Sequence, residues 1–129
     1  MFCFVEALES RQLLSAAPTS QAVVDAMAKV QADVLKLHTD AVGFHSSIAA
    51  TNAAFLSAKA ADLSAIKADL AAGNHDQLAL DRQKLKDDVA SHTAGLKTDV
   101  ANWKTTHQAD VTTLHDDIVA LQQARKAAH

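Results

Sequence analysis

The stretch Ala71-Ala72-Gly73-Asn74-His75-Asp76 decides how the chain is organised. Glycine just past a helix end takes positive φ without a Cβ clash. Asn74 is a strong N-cap residue, and Gln77 follows three positions later, at capping-box spacing. Asp76 places negative charge in the first turn of a following helix, where free N–H groups favour it. One helix ends and another begins within about two residues, which is the signature of an αα-hairpin.

On either side of this turn the apolar residues recur at gaps of three and four. Before it stand Val23, Met27, Val30, Val34, Leu37, Ala41, Phe44, Ile48, Phe55, Leu63, Ile66 and Leu70. After it stand Leu78, Leu85, Val89, His92, Leu96, Val100, Trp103, His107, Val111, Leu114, Ile118 and Leu121. Val89, Val100 and Val111 lie eleven apart. An eleven-residue repeat spans three turns, so a seam built on it stays nearly straight. Folding the arms about Gly73 pairs Val34 with Leu114, Ile48 with Val100 and Leu63 with Leu85, their numbers adding to about 148. Phe44 falls opposite Trp103 in nearly the same register. Asn52, Lys59, Arg82, His92 and His107 are the polar interruptions, of the kind that set register at some cost in stability.

The expectation is an all-α protein: a long antiparallel helical hairpin, coiled-coil-like and partly in eleven-residue repeats, with its turn near Gly73-Asn74. The alternative is an up-down four-helix bundle broken near Gly43 and Gly95. The apolar phase passes both glycines without a shift, and a helical glycine costs only about 1 kcal/mol, which favours the hairpin.

Composition agrees. Of 129 residues, 49% are hydrophobic but only 4% aromatic, with one proline and no tyrosine. That profile fits long helices better than a sheet. A net charge of −3 with no basic stripe visible in the linear sequence predicts no nucleic-acid partner. No apolar run approaches the roughly eighteen residues a membrane span needs. The lone Cys3 has no intrachain partner and leaves the redox compartment open.

The chain opens with Phe4-Val5-Glu6-Ala7-Leu8-Glu9-Ser10-Arg11-Gln12-Leu13-Leu14-Ser15-Ala16. Charges at Glu6, Glu9 and Arg11 interrupt the apolar region, unlike an ordinary secretory leader. The stretch resembles the N-terminal LEPR-XLL motif of planctomycete bacteria, which tends to read FExLEpRxLLSA. Glu6, Leu8, Glu9, Arg11, Leu13, Leu14, Ser15 and Ala16 occupy the motif positions, while Ser10 replaces the usual proline and the upstream basic run is missing. The resemblance covers about a tenth of the chain and implies export or surface sorting; it carries no activity. Ala17-Pro18-Thr19-Ser20 forms the boundary, since Pro18 discourages helix before it. Residues 1–18 thus read as a sorting-like segment and 19–129 as the helical domain, which places the protein outside the cytoplasm or at the cell surface.

No catalytic motif is present: no His-Glu-x-x-His, phosphate loop, nucleophile elbow or Cys-x-x-Cys-His. The helical arms carry thirteen aspartates and no glutamate, which removes the Glu-x-x-His pattern of di-iron bundles. The aspartates mostly precede apolar positions and read as a solvated flank paired with Lys29, Lys36, Lys67, Lys97 and Lys104. His38, His45 and His107 lie near one register position, with Asp40 and Asp110 close in sequence. Such groups suit zinc or haem iron, but no i, i+4 histidine pair exists, and no catalytic, cofactor or metal residue is assigned. The first arm has a second apolar row, Val24, Leu35, Val42 and Leu56, wider than a two-helix seam needs. It predicts a homodimer through this face. Partial cover by Phe4, Leu8, Leu13 and Leu14 and reversible lipid-surface binding are the other readings, the polar face not being basic. The functional expectation is a non-enzymatic structural or protein-interaction module, the alternative a small His-ligated metal or haem carrier.

Overall fold

The computed structural model describes residues 20–129, and all of their regular structure is helical. Helix α1 spans Gln21–Ala72 and helix α2 spans His75–Ala127. The two pack against each other as a hairpin. The sorting-like segment and its boundary with Pro18 lie outside the described residues.

Ser20 caps α1: its Oγ and its carbonyl both accept from the Val23 N–H. The turn is a Schellman motif. The Asn74 N–H donates to the Asp69 carbonyl at 3.0 Å and the Gly73 N–H to the Leu70 carbonyl at 3.3 Å, closing the carbonyls left over at the helix end. Gly73 has φ of 70°, where a Cβ is strained. Asn74 then caps α2, its Oδ1 accepting from the Gln77 N–H. At the far end Arg125 and Lys126 complement the helix dipole.

Neither Gly43 nor Gly95 breaks a helix, so the four-helix alternative is not what the chain adopts. A Cβ at Gly43 would meet nothing within 4 Å, and at Gly95 only the Thr51 methyl at 3.5 Å. The backbone at both positions is ordinary helix.

Contacts fall into two units: Thr39–Thr106, next to the turn, and His107–His129 with the described part of Met1–His38. In the first, Phe44 stacks on Trp103 with ring centroids 5.0 Å apart, and Phe55 stacks on His92 at 4.2 Å. Each such pair adds about 0.5–1.5 kcal/mol beyond its area. Both pairs keep the register predicted from the turn. In the second unit Val30, Leu37, Leu114 and Leu121 are half-buried.

Most of the predicted seam does turn inward, Val23, Phe44, Phe55, Leu78, Leu96 and Trp103 among it, but in one recurring row the inward residue is the one before the apolar residue. Val89, Val100 and Val111 are all exposed, Val100 to 37%. Leu63 and Leu70 are exposed as well, Leu70 to 56%. The inward positions beside them belong to Asp62, Asp69, Asp88, Asp99 and Asp110. Asp62 is 3% exposed and Asp110 8%, so the inward aspartates are not a solvated flank, whereas Asp25, Asp76, Asp87 and Asp116 are exposed. Lysines of the opposite helix reach over to these acids, Lys84 to Asp62 and Lys36 to Asp110.

Candidate functional site

The inward aspartates form the most unusual chemistry of the molecule. In the turn-proximal unit Lys84 Nζ donates to Asp62 Oδ1 at 2.7 Å and to Asp88 Oδ2 at 2.8 Å. The two carboxylates hold the Lys84 ammonium well above its ordinary pKa. Lys84, in turn, is the main reason Asp88 is held low. Lys84 is 61% exposed, so solvent screens the pair. Thr51 donates to Asp99 Oδ2 at 3.0 Å. Asp69 and Asp81 share a contact without a lysine between them. The hydrogen bond with Asp81 raises Asp69 first, and burial adds to it. Asp81 moves the other way, lowered by Asp69, then Gln77, then Lys84.

In the other unit Lys36 Nζ donates to Asp110 Oδ1 at 2.7 Å. Burial is the chief cause that raises Asp33, reinforced by Asp117 and Asp110 and opposed by Lys29. Asp33 Oδ2, Asp62 Oδ2 and Asp110 Oδ2 are buried without a hydrogen-bond donor. Of the lysines predicted to pair with aspartate, Lys36 does so directly and Lys29 acts at longer range. Lys84, which pairs with two, carries no sequence signal until the seam phase is known.

The histidines take different roles. His92 is the inward one, its Nε2 2.9 Å from Asn52 Oδ1. His38, His45 and His107 are exposed. Among the described residues no group of three or more His, Cys, Asp or Glu is placed to hold a metal ion. Lys59 and Arg82, expected as seam interruptions, are exposed beside the seam.

Open grooves run along the turn-proximal unit. One of about 300 Å³ is lined by Gly43, Phe44, Ser47, Asp99, Asn102 and Trp103. A second, of about 240 Å³, includes Ala54, Phe55, Ser91 and His92. Gly43, Ser47, Ala54, Ser91 and Asn102 each stand just before an inward position. The sides of α1 and α2 that precede the seam therefore share one face of this unit, built of small and polar residues. The residues that follow each inward position share the opposite face.

The outer side of α1 bears the second apolar row. Leu35 is 64% exposed and Val42 52%, with Val24 and Leu56 also exposed. Among the described residues no helix is long and apolar enough to cross a membrane. No protein-family model matches the chain, and no curated protein or solved structure gave a match to it.

Proposed function

We propose that the protein is a non-enzymatic structural or protein-interaction module, a coiled-coil-like helical hairpin that self-associates through the outer side of α1. One observation carries this reading: Val24, Leu35, Val42 and Leu56 are exposed on a helix that already has a seam with α2. An apolar row outside the seam marks an interaction surface. Export or surface attachment rests on the N-terminal sorting-like sequence, residues 4–16.

Sedimentation equilibrium tests the association. The unaltered chain is expected to be a dimer at micromolar concentration, and the double variant Leu35→Asp, Val42→Asp a monomer with unchanged helix content. A monomeric unaltered chain at every reachable concentration would overturn the proposal.

A further inference from the structure

The residue after each inward position points about 100° away from the seam. In Thr39–Thr106 these following positions separate the charges of the unit. Six of its seven lysines and arginines occupy them: Lys59, Lys67, Arg82, Lys86, Lys97 and Lys104. None of the unit's aspartates does; they lie inward, or at Asp76 and Asp87 on other sides. The seventh cation, Lys84, is on the opposite face and tied to Asp62 and Asp88. No ion pair or hydrogen bond among the described residues holds any of the six. Between them, following Asp62, Asp69, Asp88 and Asp99, stand the exposed Leu63, Leu70, Val89 and Val100. The net negative charge of the chain conceals one face that is cationic and apolar together.

We propose that this face docks on an anionic lipid surface, with Leu63, Leu70, Val89 and Val100 entering the headgroup boundary and the six cations meeting lipid phosphates. The inference rests on the interaction-module reading, and this face borders the dimer row: Val42 and Leu56 follow the inward Ala41 and Phe55 and belong to both. Charge complementarity selects the occupant. A second copy would set six unpaired cations against six. A nucleic-acid backbone would satisfy the cations and leave the leucines and valines wet. A bilayer interface accepts both, because lysine stems lie along apolar surface while the ammonium stays in water.

Vesicle flotation of the full chain tests this, with phosphatidylcholine vesicles alone and with phosphatidylglycerol added. The chain is expected to float with the anionic vesicles and stay behind with the neutral ones. Lys86→Gln with Lys97→Gln should weaken partition about thirtyfold. Leu63→Ser with Val100→Ser should weaken it about tenfold or more, with the helical circular dichroism of both variants unchanged. No flotation with anionic vesicles overturns the proposal. So does an apolar-pair variant that floats as well as the parent, which would assign the face to an acidic macromolecule instead. Leu35→Asp alone, which lies outside Thr39–Thr106, should weaken the dimer and still float, so failure of the dimer reading and failure of this one give separate results.

Discussion

Replacing Asp62 by leucine should stabilise the hairpin. Asp62 is 3% exposed, and its Oδ2 has no donor. An unsatisfied buried acceptor costs about 1–3 kcal/mol, and a leucine at the same place gains about 2 kcal/mol of apolar burial. The loss is the bond from Lys84, an ammonium that is 61% exposed and keeps Asp88 as partner. Overpacking by the larger side chain subtracts about 1–3 kcal/mol. The net is a gain of about 1–2 kcal/mol, in line with buried ion pairs replaced by apolar residues. For a chain of this size that raises Tm by about 3–8 °C. Thermal unfolding followed by helical circular dichroism measures it, with Asp62→Asn as the isosteric control that removes charge without adding volume. If both variants lower Tm, the buried carboxylate is a net stabilising element and the reasoning about its orphaned oxygen is wrong.

Other outcomes follow from the same structure. Gly73→Ala should destabilise by about 1–2 kcal/mol because φ of 70° suits only glycine, whereas Gly43→Ala should stabilise by about 1 kcal/mol, since nothing lies within 4 Å of its Cβ; urea titration reads both. Asp33 has a raised pKa in the folded chain, so it favours folding fully below the ordinary carboxylate pKa and loses that contribution as pH rises through the raised value. Asp33→Asn should therefore be more stable than the parent at pH 7 and lose that advantage toward about pH 4, and an advantage constant across that range would reject the assignment. With Cys3 changed to serine, spin labels at Asp76→Cys and Thr105→Cys should lie about 44 Å apart along one helix. A dominant distance under about 25 Å would instead mean that α2 reverses near Gly95.

The turn was legible because its signals are local: Gly73, Asn74 and Gln77 act on backbone groups within a few residues. Register was legible because one turn position propagates along both arms, and Phe44 does meet Trp103. One row of the seam was not. Val89, Val100 and Val111 share an eleven-residue period with Asp88, Asp99 and Asp110 beside them, so periodicity cannot choose between the two rows. Hydrophobicity chooses valine; the helices place aspartate inward, in the same rotation that stacks Phe44 on Trp103 and Phe55 on His92. The cationic face was hidden for the same reason. Lys59, Lys67, Arg82 and Lys86 look scattered until each is counted from the inward residue before it. The N-terminal resemblance lies outside the described residues, and the structure adds nothing to it.

The repeated acids have a consequence for how the chain tolerates changes of length. Asp40, Thr51 and Asp62 stand eleven apart on α1, and Asp88, Asp99 and Asp110 do so on α2. Deleting one residue from either helix rotates everything beyond it by about 100°, carrying carboxylates out to solvent and lysines inward. Deleting eleven restores the rotation but slides one arm three turns past the other, uncoupling Phe44 from Trp103. Paired excisions, eleven residues from each arm at matching distances from Gly73, keep both rotation and partnership. The hairpin thus accommodates changes of length most readily in paired steps of twenty-two residues, and other steps turn or slide one arm against the other unless the helices locally over- or unwind.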